Sequence, residues 1–244
     1  MIKINNLTKK YKDKLAVDNL NLEIKTGELF SLLGTNGAGK TTTIKMLSTL
    51  ILPTSGEVEI NNLDLVKDSS KIKEIINISP QETAIASNLT VLENLYFMAG
   101  IYQIPNKEDK IKELIKLFKL EEVLKQKAKT LSGGYQRKLS IAISLINDPK
   151  ILFLDEPTLG LDVISRRELW HIIENLKGKI TIILTTHYME EAEALSDRIG
   201  IMNKGKLIEL GTSKELIKKA KTKNFEDAFI KIIEEDNNEN TNIC

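Results

Sequence analysis

A glycine-rich loop at residues 34–41, GTNGAGKT, constrains the fold of this chain more than any other feature. A short apolar strand pattern, GELFSLLG at 27–34, runs directly into it, and a helical apolar pattern, TTTIKMLSTLI at 41–51, follows it. Three positions without side chains let the backbone wrap closely around phosphate oxygens: Gly34, Gly37 and Gly39. The sequence therefore predicts a strand, a phosphate-binding loop (the phosphate loop below) and a helix in succession.

The end of the phosphate loop carries the groups that a nucleotide requires. Lys40 can reach the outer phosphates with its ammonium group, and Thr41 can offer a hydroxyl to Mg²⁺. The helix that begins there directs backbone N–H groups at the anion. We expect nucleotide contacts along the whole segment: Gly34, Thr35, Asn36, Gly37, Ala38, Gly39, Lys40, Thr41 and Thr42.

Strand and helix patterns alternate along the chain. Short apolar or alternating runs predict strands at 56–62, 75–79, 151–156 and 181–187, and a hairpin over 198–211 that turns at 203–205. Helical spacing puts apolar residues on one face in two segments: Ile111, Leu114, Ile115 and Phe118, then Leu169, Ile172, Ile173 and Leu176. This alternation predicts an α/β fold with a mostly parallel sheet, into which a helical lobe at about 85–148 is inserted.

Composition excludes several classes of protein. The 35 basic and 34 acidic residues give a net charge of +1, whereas a protein that coats nucleic acid by charge is much more basic. The single cysteine, Cys244, allows no disulfide framework and favours a reducing compartment. The start lacks the apolar region of a signal peptide, and no apolar run reaches the roughly 18 residues of a membrane span. We therefore expect a cytoplasmic chain with no nucleic-acid partner.

Two acids end the apolar strand ILFLDE at 151–156. Ligands of open α/β sheets bind at the carboxyl ends of strands, where Asp155 and Glu156 are expected to lie. Asp155 can hold Mg²⁺ through its water shell. Glu156 can orient or deprotonate an attacking water, which is the role of a base in phosphoryl transfer.

A phosphate loop also occurs in GTPases, kinases and motors, so a second feature has to decide between them. A GTPase would carry an Asn-Lys-x-Asp guanine motif, and residues 203–206 have lysine at the position of the acid. The stretch LSGGYQ at 131–136, the signature turn below, resembles the LSGGQ signature of the ATP-binding cassette family, the ATPase subunits of ABC transporters. Tyr135 stands where the family most often has glutamine, and Gln136 follows it.

The resemblance extends from Tyr11 to about Phe229 and implies a fold and an assembly. The implied fold is a P-loop NTPase core with a mostly parallel sheet, an N-terminal antiparallel β part and the inserted helical lobe. Two units are implied to face each other head to tail, either as two copies of this chain or with a related ATPase chain. The signature turn of each copy closes over the terminal phosphate of the ATP held by the other, through Ser132, Gly133 and Gly134.

Single residues gain roles by the same resemblance. Tyr11 is similar to the aromatic residue that stacks on adenine, and Val17 is expected to pack beside it. Gln81 matches the hinge glutamine that senses Mg²⁺ and the attacking water. Asp162 matches the acid that links the two sites across the dimer. His187 matches the switch histidine that contacts the terminal phosphate.

The segments around these motifs resemble the drug- and antibiotic-exporter branch, whose permease is a separate membrane chain. This implies an ATPase peripheral on the cytoplasmic face of the cell membrane. Two alternatives stay open: the ATPase of an importer, which usually carries an added C-terminal domain, and a soluble ABC protein that acts on ribosomes or DNA. Residues 1–220 are expected to form the ATP-binding domain, and 221–244 a short helix and a disordered polar tail, EEDNNENTNIC.

The start of the helical lobe is the candidate contact with a permease. Residues 83–105 are rich in large apolar side chains, of which some must be core and some could dock a cytoplasmic helix of the permease: Leu95, Tyr96, Phe97, Met98, Ile101 and Tyr102. Gln81 precedes this segment and the signature turn ends the lobe. Closure around phosphate is therefore expected to swing the lobe as a unit.

Overall fold

The computed structural model describes residues 1–241, in which strands and helices alternate as the sequence predicts. The strands are β1 (Ile2–Tyr11), β2 (Lys14–Ile24), β3 (Leu29–Gly34), β4 (Ser55–Ile60), β5 (Leu63–Asp64), β6 (Ile76–Ser79), β7 (Ile151–Asp155), β8 (Thr181–Thr186), β9 (Arg198–Asn203) and β10 (Lys206–Gly211). All residues of β3, β7 and β8 are buried, as in a sheet that is covered on both faces.

The helices follow the strands or cluster in the predicted lobe. They are α1 (Lys40–Leu47), α2 (Ser69–Ile75), α3 (Val91–Ile101), α4 (Lys107–Phe118), α5 (Gly133–Ser144), α6 (Val163–Leu176), α7 (Met189–Leu195), α8 (Ser213–Ala220) and α9 (Phe225–Thr241). No helix within residues 1–241 combines the length and the apolar character that crossing a membrane would demand.

The strands of the described residues form two sheets. The N-terminal sheet has the order β2-β1-β4-β5 and is antiparallel throughout, which confirms the antiparallel part implied by the resemblance. Side chains alternate along the start of β1, where Ile2 and Ile4 are buried and Lys3 is exposed. This sheet packs its buried face onto the side of the main sheet that carries Phe30 and Phe153.

The main sheet has the order β10-β9-β3-β8-β7-β6 and is parallel except for the β9–β10 hairpin. Leu33 of β3 pairs with Thr186 of β8, and Asp155 of β7 pairs with Thr185. The carboxyl ends of β3, β7 and β8 therefore meet at one edge. This edge carries the phosphate loop and both acids of the ILFLDE motif.

The helical lobe lies between β6 and β7 and contains α3, α4 and α5. A capping box starts α3, since Thr90 Oγ1 accepts a hydrogen bond from the N–H of Glu93 while the Glu93 carboxylate accepts one from the N–H of Thr90. In α4 the predicted apolar face is buried at Ile111, Leu114 and Phe118. The apolar core of the lobe continues without a break under β7 and β8, so the lobe is joined to the main sheet by packing.

Helix α9 corrects the disorder predicted from residue 234 onward, because it continues through residues 234–241. Its apolar side chains Phe225, Ala228 and Ile232 are buried, which anchors the first two turns. Asn203 Nδ2 then donates hydrogen bonds to Asp236 and Asn237 side chains, at 2.7 and 3.2 Å. The rest of the predicted tail, including Cys244, lies outside the described residues.

Candidate functional site

The phosphate loop joins β3 to α1 in a conformation that requires its glycines. Gly37 and Gly39 have φ angles of 82° and 104°, in the left-handed region that side chains disfavour. A Cβ atom on Gly34 would lie 2.3 Å from the carbonyl oxygen of Met202, and one on Gly39 would lie 2.5 Å from that of Ala16. The loop is therefore pressed against the backbone of β9 and β2 of the same chain.

A cavity of about 440 Å³, the pocket below, opens at this loop. Residues 36–42 form one side of it. The other lining residues are Lys14, Ala16, Gln81, Glu156, Leu159 and His187. The three candidate catalytic residues, Gln81, Glu156 and His187, are far apart in sequence and meet in one cavity with the phosphate loop. Its volume is in the range of small-molecule sites.

Glu156 contacts both a lysine and a histidine in the wall of the pocket. Its Oε1 lies 3.3 Å from Lys40 Nζ, and its Oε2 lies 2.8 Å from His187 Nδ1. Lys40 Nζ also donates hydrogen bonds to the carbonyl oxygens of Gly34 at 2.8 Å and Thr35 at 3.3 Å. Because Lys40 and Glu156 are both buried, salt screens their interaction only weakly. A carboxylate and an ammonium group are thus held side by side at the phosphate loop.

The backbone at Glu156 is strained. Its φ angle is 49°, which is uncommon for a residue with a side chain. Its N–H donates to Thr185 of the neighbouring strand, with 3.1 Å to both the carbonyl oxygen and Oγ1. Strained backbone of this kind concentrates at functional sites, and here it belongs to the candidate base.

Oxygen atoms suited to a hard cation lie beside this base. Thr41 Oγ1 donates a hydrogen bond to Asp155 Oδ1 at 3.0 Å, and Thr185 Oγ1 donates to the same oxygen at 2.6 Å. Within residues 1–241 no group of three or more His, Cys, Asp or Glu side chains could hold a metal by itself. One carboxylate, one hydroxyl and the amide oxygen of Gln81 instead fit Mg²⁺, which keeps several waters and binds phosphate oxygens as well.

The structure places the two residues predicted for the adenine side in different surroundings. Val17 is 0% exposed in the core, whereas its neighbour Ala16 lines the pocket. Alternation along a strand puts neighbours on opposite faces, but the sequence does not say which face is inward. Tyr11 is 46% exposed, with Lys9 Nζ 5.0 Å from its ring centroid. It pairs with Lys14, a lining residue, across the β1–β2 hairpin, so it lies next to the pocket wall.

The signature turn lies outside the pocket lining of its own chain. Ser132 caps α5, since its Oγ accepts a 3.5 Å hydrogen bond from the N–H of Tyr135. Both Ser132 and Gly133 are exposed. Tyr135 packs against the lobe core, with Lys138 Nζ 5.1 Å from its ring centroid. Within one chain, therefore, the signature turn is not brought to the phosphate loop.

Asp162 caps α6 next to the signature turn. Its Oδ1 accepts hydrogen bonds from the N–H groups of Ile164 at 2.9 Å and Ser165 at 3.0 Å, and its Oδ2 accepts one from Ser165 Oγ at 2.7 Å. The hydrogen bonds from Ser165 lower the pKa of Asp162. A Cβ atom on Gly134 would lie 2.8 Å from Ser165 Oγ. The start of α6 is therefore packed against the start of α5.

Sequence reasoning missed three polar residues that support the site. Thr185 holds Asp155 and Glu156, and its only signal is its place in TTH, beside His187. Arg137 donates to the backbone that leads into Gln81. The signal for Arg137 is a charged residue inside a helix whose later positions are apolar.

Glu191 is the third such residue, and it is fully buried. Its Oε1 accepts hydrogen bonds from Thr158 Oγ1 at 2.8 Å and Trp170 Nε1 at 3.0 Å. Burial raises the pKa of its carboxyl, although the hydrogen bonds act in the opposite direction. In the sequence it is one of three glutamates in a short helical run, and nothing there separates it from its exposed neighbours.

Known proteins share this sequence and fold. A family model described as "ABC transporter" matches residues 17–159. The probable multidrug ABC transporter ATP-binding protein YbhF of Escherichia coli is 40% identical over 99% of this chain. The linearmycin resistance ATP-binding protein LnrL of Bacillus subtilis is 40% identical over 88% of the chain and 70% of its own length. The chain spans only 43% of the length of YbhF.

Solved structures agree with the sequence relatives. A dimeric, post-hydrolysis structure of the ATP-binding cassette MJ0796 with ADP and Pi superposes with a TM-score of 0.79 at 30% identity, over 87% of this chain and 98% of that one. An ATP-binding subunit of an ABC transporter superposes with a TM-score of 0.85 at 25% identity, over 95% and 99% of the two chains. The chain belongs to the ABC transporter family, as one of its ATPase cassettes.

Proposed function

We propose that this chain binds and hydrolyses ATP with Mg²⁺ and energises a membrane exporter through head-to-tail dimerisation of two cassettes. One observation carries the proposal: Glu156 is held between Lys40 and His187 in the pocket of the phosphate loop. A buried carboxylate beside a phosphate-binding cation is the arrangement that hydrolysis of a phosphoanhydride needs.

Each residue then has one task. The backbone of the phosphate loop and Lys40 bind the phosphates. Thr41 and Asp155, near Gln81, would hold Mg²⁺, which would supply charge neutralisation at the outer phosphates. Glu156 takes a proton from a water whose oxygen bonds to the γ-phosphorus, while the bond to the bridging oxygen breaks and leaves ADP and inorganic phosphate. His187 orients Glu156 through its 2.8 Å contact and is expected to reach the terminal phosphate.

The dimer is supported by the exposure of the signature turn. Ser132 and Gly133 are exposed at the N-terminus of α5, where free backbone N–H groups and the helix dipole favour an anion. Asp162 lies beside them at the N-terminus of α6. An isologous pairing of two copies would give each pocket the signature turn of the other copy and form two composite sites.

Trapping ATP tests base and dimer together. Glu156→Gln should bind ATP but hydrolyse it slower by roughly 10²–10⁴. With Mg·ATP it should elute from a sizing column as a dimer. Glu122→Gln, a change at an exposed glutamate of the lobe, is the matched control and should behave as the parent. A Glu156→Gln chain that stays monomeric and hydrolyses at the parent rate contradicts both the base and the dimer.

Removing the signature serine then tests the contact in trans. Ser132→Ala in the Glu156→Gln background should abolish the ATP-dependent dimer. The change also removes a helix cap, worth about 1 kcal/mol. Thr212→Ala, which removes the cap of α8, therefore serves as a control that should leave the dimer intact.

The exporter role is supported by the exposed face of α3. Within residues 83–105, Leu95 is core and Met98 partly buried, whereas Phe97 is 54% and Ile101 is 57% exposed. Tyr96 and Tyr102 are also exposed. An apolar face of this kind fits a cytoplasmic helix of a separate permease, which would hold the chain on the cytoplasmic face of the membrane.

Co-expression with a candidate permease tests this role. The chain should enter the membrane fraction with the membrane protein encoded beside it. Phe97→Glu and Ile101→Glu should release it without weakening ATP binding, whereas Ile230→Glu, at an exposed isoleucine of α9, should not. A chain that follows ribosomes or DNA instead supports the soluble alternative, and substrate uptake by the reconstituted complex supports an importer.

A further inference from the structure

Arg137 of α5 is hydrogen-bonded to the backbone of the segment that carries Gln81. Its guanidinium donates one hydrogen bond to the carbonyl oxygen of Pro80 at 2.7 Å and a second to that of Gln81 at 2.5 Å. Close by, Ser79 Oγ lies 3.1 Å from Ser140 Oγ. These contacts therefore hold the helix that follows the signature turn, α5, against the end of β6.

This pair of hydrogen bonds requires an arginine. Arg137 is 4% exposed, and loss of hydration lowers its pKa, while the carboxylates of Asp155 and Glu191 oppose that change. A guanidinium presents its N–H groups in a rigid plane, so it can fix two successive carbonyl oxygens at once. A lysine ammonium could reach one of them but could not hold the orientation of the peptide between them.

This peptide lies between two functional elements of one chain. The side chain of Gln81 lines the pocket, and α5 begins at the signature turn. Because Arg137 is in the second turn of α5, a displacement of the signature turn moves the Pro80–Gln81 peptide with it. In the proposed dimer the signature turn belongs to the pocket of the other copy, so Arg137 joins the two composite sites within one chain.

We propose that Arg137 is a positioning residue for hydrolysis. It fixes the position of Gln81 relative to the signature turn of the same chain. The inference rests on the proposed role of Gln81 at the attacking water. It assigns Arg137 no contact with nucleotide. Its effect is on the rate of the chemical step in the pocket, and ATP affinity is left to the phosphate loop.

A double-mutant cycle on the full chain tests the proposal. Arg137→Lys should lower kcat by about 10- to 100-fold, as expected for a misplaced group, and leave KM for ATP within about twofold. Gln81→Ala should lower kcat as well. In the Gln81→Ala background, Arg137→Lys should change kcat by less than about twofold, because its effect is exerted through Gln81. Arg167→Lys, at an exposed arginine of α6, is the matched control and should match the parent.

Each failure has its own meaning. If Arg137→Lys keeps the parent kcat, or lowers it equally in both backgrounds, the positioning role is overturned while the role of Gln81 stands. If Gln81→Ala keeps the parent kcat, the role of Gln81 in the proposed function fails, and the positioning role fails with it.

Amide hydrogen exchange tests the mechanical link without catalysis. In the Glu156→Gln chain, Mg·ATP should slow exchange in residues 81–83 and 132–137 together. With Arg137→Lys added, the slowing should persist in 132–137 and disappear in 81–83. Equal slowing in 81–83 with and without the arginine overturns the proposal. If Arg137→Lys does not fold, slowing confined to one of the two segments in the Glu156→Gln chain has the same meaning.

Discussion

The phosphate loop and the signature turn are both glycine-rich starts of helices, but their glycines answer to different constraints. In the phosphate loop, side chains at Gly34 and Gly39 would collide with backbone oxygens of the same chain at 2.3 and 2.5 Å. At Gly133 of the signature turn, the nearest described atom to an added Cβ is Leu161 Cδ2, at 4.0 Å. One chain thus explains the glycines of the first loop and leaves Gly133 unexplained.

Gly134 lies between these two cases. A Cβ atom there would approach Ser165 Oγ to 2.8 Å and Ser165 Cβ to 3.1 Å, so the neighbouring helix α6 already requires a glycine. This reason is local to one chain, so Gly134 does not need a partner contact to explain it. Within the signature turn, a partner is therefore needed to explain only Gly133 and the exposed hydroxyl of Ser132.

The largest effect should come from the phosphate loop itself. Lys40→Ala removes the cation proposed to bind the outer phosphates, and it leaves Glu156 buried without its lysine. Hydrogen bonds to charged groups contribute about 1.5–3 kcal/mol, so ATP binding should weaken by about 10- to 100-fold or more. Calorimetric titration with ATP measures this. Lys45→Ala, at an exposed lysine of the same helix, should bind ATP as the parent does. Unchanged ATP binding by Lys40→Ala would mean that the phosphate loop is not the phosphate-binding turn of this chain.

The second effect separates the two glycines of the signature turn. Gly133→Ala meets open space, so the thermal midpoint should stay equal or rise slightly, because alanine favours a helix. The rate of hydrolysis should nevertheless fall by about tenfold or more, because a methyl group would stand between the turn and the phosphate of the other copy. Gly134→Ala should lower both the midpoint and the rate, owing to the contact with Ser165.

Parallel melting curves and ATPase assays decide the matter. A Gly133→Ala chain that keeps the parent rate would mean that no partner requires the bare backbone there. The signature turn would then be a structural element like any other capped helix, and the difference between the two turns would lose its functional meaning.

The parts of the site that the sequence predicts are those formed by contiguous motifs, and the parts that it misses depend on distant partners. The phosphate loop and the strand-end acids Asp155 and Glu156 were predictable because strand, loop and helix patterns are contiguous in sequence. Arg137 and Thr185 were not, because their partners lie 56 and about 30 residues away and their local patterns do not identify those partners. Burial of Val17 was not predictable either, because a period of two gives two faces without saying which is inward.

The C-terminal helix shows the same limit in the fold. Residues 234–241 lack an apolar pattern, so the sequence predicted no element there. The helix continues because its start is anchored by Phe225 and Ala228, and because Asn203, more than 30 residues earlier, donates to its side chains. Contacts of long sequence separation decide such cases.

A smaller effect, on the affinity for ATP, tests whether the adenine contact comes from the same copy as the phosphate loop. Tyr11→Ala should raise KM for ATP by about 10-fold, since stacking of a base on an aromatic ring contributes about 1–3 kcal/mol. It should leave kcat unchanged, because stacking contributes equally to the ground state and the transition state. Tyr11→Phe should behave as the parent, and Leu15→Ala, at an exposed leucine of the same hairpin, is the control. A loss of kcat with KM unchanged would place Tyr11 with the signature turn instead.

The smallest effect concerns Glu191, which joins the segment after β7 to α6 through hydrogen bonds from Thr158 and Trp170. Burial raises its pKa in the folded chain above the ordinary value of about 4.3. Above that pH the unfolded chain releases the proton while the folded chain keeps it. Folding therefore takes up a proton, and this group's contribution to stability falls as pH rises. Glu191→Gln has no proton to release, and its amide oxygen can accept the same hydrogen bonds.

The thermal midpoint of Glu191→Gln should therefore rise relative to that of the parent as the pH increases above 4.5. A change of about 1 kcal/mol corresponds to about 2–4 °C for a chain of this size. Glu108→Gln, at an exposed glutamate of α4, should show no such trend, since its carboxylate is in water in both states. A difference that is constant with pH, or that turns against the glutamine variant at high pH, would mean that Glu191 is ionised in the folded chain. A charged Glu191 would then interact electrostatically with the buried Arg137, and Glu191→Gln should loosen the signature turn and Gln81 together.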